Sequence, residues 1–328
     1  MQYRPLGSTG LQVSAVSFGA GPVADLMTAP QRADDQRRTI ARAIDLGVNW
    51  FDTAATYGDG RSEAALGQAL DDLNAQSRVY VATKVRLPPD QLHDIPSYIR
   101  HSVEASLERL RLPSITLLQL HNSVTRGRGD LATSIIPEDV LEGGVLKTFE
   151  ELRSCGVVQH LGLTALGEPE SLAAVLQSRQ FAAVQLPYNL LNPSAGRIVP
   201  PGFTETNLGN LLATCQELSI GAMAIRVYAG GALAGQSPSK HTLTTKFFPL
   251  DLYQRDQARA KAVQQELGDQ ISLPEIAVRF VLGHPALASA LIGFGSPEEV
   301  EQAVAFAQHG PLPDRVLAAI EAVRERQS

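Results

Sequence analysis

Eight short stretches, apolar on nearly every residue, recur along this chain, and most are followed by a stretch with helical spacing of apolar residues. The strand-like stretches fall at 13–18, 50–53, 79–83, 115–120, 157–163, 183–185, 221–225 and 288–292. Helical patterning fills 32–46, 62–72, 98–110, 137–154, 169–177, 207–218, 254–267, 273–282 and 297–307, with a terminal helix over 314–326. Strands with two apolar faces belong in a parallel sheet covered by helices. Eight βα units in about 300 residues fit a closed (β/α)8 TIM barrel better than an open doubly wound sheet. No G-x-G-x-x-G follows the first strand, which argues against a Rossmann domain. Residues 3–17 read as a hairpin around Gly7-Ser8-Thr9-Gly10 that caps the bottom of the barrel, and Ser62 reads as the N-cap of its helix. No shift in composition marks a boundary, so 1–328 is expected to be one α/β domain.

Charge and terminal patterning narrow the function classes. The net charge is −6, and no basic run exceeds Arg126-Gly127-Arg128. A nucleic-acid or anionic-membrane partner is therefore not expected. The start, Met1-Gln2-Tyr3-Arg4-Pro5, carries no apolar core of a secretory signal, and no run approaches the ~18 apolar residues of a membrane span. Cys155 and Cys215 stand far apart and outside any C-x-x-C. They read as two small buried hydrophobes in a reducing, cytoplasmic setting.

In a barrel of this kind, chemistry sits where the strands end. The first polar residues at the ends of strands two, three and four are Asp52, Lys84 and His121, and Tyr57 lies in the loop after strand two. Thr164, Gln185 and Arg226 follow at the next three strand ends, and Gly19-Ala20-Gly21-Pro22 after the first strand leaves room for a ligand against the backbone. Each residue alone has a plain reading: Asp52 as a loop cap, Lys84 as a solvated strand end, His121 as a core histidine, Tyr57 as packing. An acid, a cation, a phenol and an imidazole on one rim favour a site. A Lys ammonium a few ångströms from a phenol stabilises its phenolate, and Asp52 would hold that ammonium in place. Tyr57 can then give a proton to a carbonyl oxygen or take one from a hydroxyl, while His121 donates a hydrogen bond to orient that oxygen. There is no activated Ser or Cys nucleophile and no metal-ligand cluster, so a hydride donor must come from outside.

These residues resemble the aldo-keto reductase superfamily over essentially the whole chain. The carriers are the opening 3–14, the stretch Gly47-Val48-Asn49-Trp50-Phe51-Asp52-Thr53-Ala54-Ala55-Thr56-Tyr57-Gly58, then Ala82-Thr83-Lys84 and Leu117-Leu118-Gln119-Leu120-His121. The resemblance implies a barrel that binds NAD(P)(H) and a catalytic tetrad of Asp52, Tyr57, Lys84 and His121. It implies cofactor contacts at Gly21, Thr164, Gln185, Arg226, Gly293, Gly295, Ser296 and Glu299, and no metal. Thr164 stands where the family usually has Ser, and Ala165 where Asn is common, so one nicotinamide carboxamide anchor is missing. Glu299 stands where NADPH-preferring members commonly carry Arg. A carboxylate repels a 2′-phosphate and can hydrogen-bond ribose hydroxyls, so NAD(H) is expected to serve at least as well as NADP(H).

Within the superfamily the sequence is most similar to a sugar-dehydrogenase-like branch, which implies oxidation of a sugar hemiacetal to a lactone. The loops 122–136, 186–206 and 227–253 are expected to wall the substrate pocket. Their residues Asn122, Arg126, Tyr188, Asn189, Arg197, Phe203, Tyr228, Phe247 and Phe248 suit a sugar or a small aryl aldehyde alike. Rival readings are a broad aldehyde and ketone reductase using NADPH, a low-turnover cofactor-binding regulatory module, and a Schiff-base lyase on Lys84. The last is disfavoured because a lysine paired with Asp52 stays protonated.

Overall fold

Eight parallel strands pair edge to edge until the last meets the first. The computed structural model describes residues 1–245, 250–268 and 270–327. It opens with β1 (Tyr3–Pro5) and β2 (Gln12–Ser14), an antiparallel hairpin. The barrel strands are β3 (Val16–Gly19), β4 (Trp50–Asp52), β5 (Tyr80–Val85) and β6 (Ile115–Leu120). A small parallel pair, β7 (Ser123–Val124) and β8 (Ser134–Ile135), sits in the loop after β6. The barrel resumes with β9 (Val158–Thr164), β10 (Ala183–Pro187), β11 (Gly221–Ile225) and β12 (Leu287–Gly293). Closure is made by β12 against β3, with Ala290 beside Val16 and Gly293 beside Gly19.

The helices that cover this barrel follow the sequence rhythm. They include α1 (Ala33–Asp45), α2 (Arg61–Asp72) and α3 (Ile95–Leu110), then α4 (Pro137–Leu141), α5 (Val145–Ser154), α6 (Pro169–Leu176) and α7 (Leu211–Glu217). The C-terminal third adds α8 (Lys240–Thr244), α9 (Leu250–Leu267), α10 (Leu273–Leu282), α11 (Pro297–Gln308) and α12 (Asp314–Gln327). Among the described residues no helix is long and apolar enough to cross a membrane.

Two apolar layers follow from the alternation of strand side chains. Outward-facing residues such as Phe18, Phe51, Val81 and Leu118 pack under the helices. Inward-facing Trp50, Ala82, Leu117, Ala183 and Met223 fill the barrel, joined from below by Leu6 and Val13 of the opening segment. The turn between β1 and β2 is pinned there by Ser8 N–H donating to Ser219 O at 2.9 Å. A further cluster, with Tyr253, Val263, Ile276 and Ile320, joins α9, α10 and α12.

Four local expectations need correction. The helix expected over 137–154 is two, α4 and α5, because Gly144 takes φ 115° and breaks it. Helix α2 starts at Arg61 behind Gly60 in the left-handed region, so Ser62 is not its N-cap. The Ser62 hydroxyl instead donates to Ala20 O and meets the Thr53 hydroxyl, both at 2.8 Å. Lys84 lies within β5, which runs on to Val85. Cys215 is buried, but Cys155 is exposed, because it follows α5 on the outer surface.

The hairpin plug gives a test. A Cβ on Gly7 (φ +53°) would lie 2.1 Å from Gly221 N, whereas one on Gly10 (φ +77°) meets nothing within 4 Å. Gly10→Ala is expected to cost about 1–2 kcal/mol through handedness alone, and Gly7→Ala clearly more. Urea unfolding checks this: the Gly7 variant should show the lower midpoint at unchanged slope.

Candidate active site

One layer up from the apolar filling, the inward-facing positions turn polar. Residues two along from Trp50, Ala82, Leu117 and Ala183 are Asp52, Lys84, Gln119 and Gln185. The period of two that buries the first set aims the second into the barrel at its upper end. All four are buried.

Their hydrogen bonds form one cluster. Lys84 Nζ donates to Asp52 Oδ1, to Thr53 O at 2.7 Å, and to the Tyr57 hydroxyl at 3.4 Å. Asp52 Oδ2 accepts from Gln119 Nε2 at 3.0 Å and from Gln185 Nε2. Burial would lower the Lys84 ammonium, but the Asp52 carboxylate and the Tyr57 oxygen beside it outweigh that and hold it above its ordinary value.

Tyr57 reaches this cluster from a loop held at both ends. Thr53 N–H donates to Ala82 O at 2.9 Å and Ala55 N–H to Lys84 O at 3.2 Å, so the loop leaves along β5. Ser62 N–H donates to Tyr57 O at 3.2 Å, which fixes the loop to the start of α2. The Tyr57 ring stands edge-on to His121, with ring centres 5.7 Å apart, and lies 5.0 Å from Lys84 Nζ.

His121 lines the cavity that these groups share. Its Nε2 lies 3.1 Å from Arg86 Nη2. A guanidinium only donates, so this nitrogen accepts. Its Nδ1 is buried and has no hydrogen-bond partner. Burial, with the Arg86 and Lys84 charges, holds the imidazole well below its ordinary value, so it is neutral. In this structure the ring offers an acceptor to Arg86.

These groups open on a cavity of about 820 Å³ lined by the ends of all eight barrel strands. It brings together Asp52, Tyr57, Lys84, His121, Gly21, Thr164, Gln185, Arg226 and Gly293. Gly295, Ser296 and Glu299 lie outside its lining, at the start of α11. Gln236, which does line it, reaches Glu299 Oε1 at 3.4 Å. The Thr164 hydroxyl is buried without a partner, and Gln185 has given its amide N–H to Asp52, leaving its carbonyl oxygen to offer. That donor and acceptor set can hold a carboxamide. Arg226 is largely buried, 3.6 Å from Asp256, and burial brings it down to about 10. Glu299 Oε2 accepts from Gly295 N–H at 2.7 Å, so a carboxylate occupies the turn before α11.

Of the three segments expected to wall the pocket, 227–253 does so, from Val227 to Thr245, 122–136 gives only Ala132, and 186–206 gives none. Tyr228 lines the cavity, but Asn122, Arg126, Tyr188, Asn189, Arg197 and Phe203 do not. Asn122 instead clasps the Leu87 backbone and Thr133 O, Tyr188 stacks on Phe280, and Arg197 pairs with Glu321. Phe247 and Phe248 lie outside the described residues. His241, Thr244 and Thr245 belong to the expected segment, whereas Pro22 to Asp25 and Thr28, after β3, form a wall that was not expected. Arg86 and Gln119 were missed as site residues. The period-two register would have found Gln119, which stands beside Lys84 in the sheet.

Comparison with known proteins bears on the family and the fold. A family model described as the aldo/keto reductase family matches residues 15–325. L-galactose dehydrogenase of Arabidopsis thaliana is 27% identical over 307 residues, covering 93% of this chain and 88% of the relative. The holo form of aldo-keto reductase AKR11C1 from Bacillus halodurans has TM-score 0.74 at 23% identity, covering 98% of this chain and 96% of that one. An aldo/keto reductase from Klebsiella pneumoniae in complex with NADP and acetate has TM-score 0.69 at 21% identity, covering 99% and 96%. At these identities the two solved structures bear on the fold.

Asp52→Ala is expected to lower stability by about 3–5 kcal/mol, because it strands a buried ammonium. Adding Lys84→Met to Asp52→Leu should recover much of that loss. Denaturant midpoints of the single and double variants check it.

Proposed function

The chain belongs to the aldo/keto reductase family, and we propose that it interconverts a carbonyl and an alcohol by hydride transfer, with Tyr57 as general acid and base. The carrying observation is the relay on the cavity rim: carboxylate to ammonium to phenol, Asp52, Lys84 and Tyr57. A nicotinamide dinucleotide, when bound, supplies the hydride in reduction and takes it up in oxidation. Toward reduction, Tyr57 gives its proton to the substrate oxygen as the carbonyl pair shifts onto it, and the phenolate regains a proton from solvent. Toward oxidation, the Tyr57 phenolate removes the hydroxyl proton. Lys84, kept cationic by Asp52, stabilises the phenolate in both directions. The same charge makes Lys84 a poor amine nucleophile, which weighs against a Schiff-base lyase.

Thr164 and Gln185 would orient the carboxamide, and Arg226 with the Gly230-Gly231 turn would face the pyrophosphate, since these residues line one cavity with Tyr57. Gly293, Gly295 and Ser296 would border the adenosine end. Ser296 caps α11 by accepting from Glu299 N–H at 3.4 Å. The Glu299 carboxylate on the Gly295 amide favours NAD(H) over NADP(H), because a 2′-phosphate brought there meets like charge. The complex of the Klebsiella pneumoniae relative with NADP supports nicotinamide use in general. The similarity to L-galactose dehydrogenase favours a sugar hemiacetal oxidised to its lactone, with 1–328 acting as one domain.

Sugars and aldehydes screened with both cofactors by nicotinamide absorbance test the reading; no turnover of any would end it. Tyr57→Phe should lose at least about 100-fold in kcat while cofactor affinity, measured by fluorescence titration, stays within a few-fold. Glu299→Arg should raise kcat/KM with NADP(H) relative to NAD(H) by about 10-fold or more. A wild-type preference for NADPH, unmoved by this change, would remove Glu299 as the discriminator.

A further inference from the structure

Gly21 stands two residues past the end of β3 and lines the cavity beside Tyr57. A Cβ on it would lie 3.8 Å from Cε2 and 3.9 Å from Cζ of the Tyr57 ring, with nothing closer among the described residues. Cζ carries the hydroxyl, so a side chain here would stand against the reacting edge of the phenol. Nothing in the backbone asks for a glycine. Gly58, Gly230 and Gly231, which also line the cavity, take φ +59°, +72° and +104°. Gly19 and Gly293 would carry Cβ atoms 3.1 Å from Ile292 O and 3.4 Å from Ala24 Cβ. Gly21 has neither reason: its φ lies outside the left-handed region, and Pro22 after it favours extended backbone that any residue adopts.

The gap is held open by fixed neighbours. Ala20 N–H donates to Asp52 O at 2.8 Å, and Ala20 O accepts from the Ser62 hydroxyl at 2.8 Å. The residue before Gly21 is thus tied to β4 and α2, and Ser62 N–H ties the Tyr57 loop to the same helix. A glycine costs chain entropy on folding that alanine would not. At a fixed position where a methyl group fits, its use is the space it leaves.

Resting on the reading of Tyr57 as general acid and base, we propose that Gly21 is a specificity-determining residue: its bare Cα makes room for a second heavy substituent on the reacting carbon. An aldehyde carbon carries one heavy substituent besides its oxygen. A ketone carbon carries two, and so does a ring hemiacetal carbon, with its ring oxygen and its neighbouring carbon. With the reacting oxygen on the Tyr57 hydroxyl, one substituent runs out along the cavity and the other turns back to the wall. The flank over Cε2 and Cζ receives it, because that stretch of wall has no side chain. The site therefore takes ketones, secondary alcohols and ring hemiacetals, and any side chain on residue 21 would narrow it toward aldehydes and primary alcohols.

The test uses the full chain and substrate pairs that differ at the reacting carbon. One pair is an aryl aldehyde and its methyl ketone in reduction; the other is a primary alcohol and a cyclic hemiacetal in oxidation. Gly21→Val is expected to lower kcat/KM for the ketone and the hemiacetal by about 10-fold or more relative to their partners, with Gly21→Ala between. Dinucleotide affinity by fluorescence titration should stay that of the wild type in both variants. The urea midpoint of Gly21→Ala should match or exceed the wild-type value, since the methyl group meets no clash and restricts the unfolded chain. Comparing partners within one variant cancels any general loss of folding.

Three results would overturn the proposal. One is a ratio between partners that Gly21→Val leaves where the wild type has it. Another is a fall in dinucleotide affinity with both partners losing alike, which places Gly21 against the cofactor. The third is a clearly lower urea midpoint in Gly21→Ala, which makes the glycine a need of the fold. A wild type without turnover of either pair sinks the parent reading as well; a working wild type whose selectivity ignores residue 21 sinks this one alone.

Discussion

The buried pair of Lys84 and Asp52 is the interaction on which the rest depends. Two opposite charges removed from water lose more solvation than their attraction returns unless further hydrogen bonds complete both groups. Here they do. The ammonium donates to Asp52, to Thr53 O and toward Tyr57, while the carboxylate also accepts from Gln119 and Gln185. These partners come from β4, β5, β6 and β10, and β10 lies across the closed ring from β4. One carboxylate therefore ties opposite walls of the barrel mouth. A site held this way has little freedom to relax, which is the condition for preorganised electrostatics.

Much of the fold was legible because a barrel repeats one signal. Apolar strand and amphipathic helix recur around the barrel, with a polar residue at the end of each barrel strand from β4 to β11, and the register is set by burial on both faces. Misreadings came where single residues decide. Gly144 splits a helix that its neighbours would continue. Gly60 takes the cap position that Ser62 has the chemistry for, since the Ser62 hydroxyl is already bonded across to Ala20. Cys155 is outside because the chain leaves α5 on the far side of the core.

The candidate site was legible in its centre and in only part of its walls. Asp52, Lys84 and His121 are found by asking which polar residue first leaves each strand, and Tyr57 by its place in the loop. Arg86 was missed because one more residue follows Lys84 before the chain turns, and its direction depends on where β5 stops. The segment 227–253 does wall the cavity, and the other walls were misjudged because loop length was used as a proxy for nearness. The segment after β10 is long, yet its Asn189 ties back to Arg226 O at 2.9 Å and its Tyr188 stacks on α10. The shorter segment after β3 leans over the opening instead.

The two thiols differ in a way that has practical use. Cys215 is buried and pushed up to about 12, so it stays protonated and inert to alkylation. Cys155 is exposed between α5 and the start of β9, at the end of the barrel away from the cavity. A maleimide-bearing dye, electrode or bead would attach at that one place. Every copy would then stand on its base with its mouth facing the bulk solution.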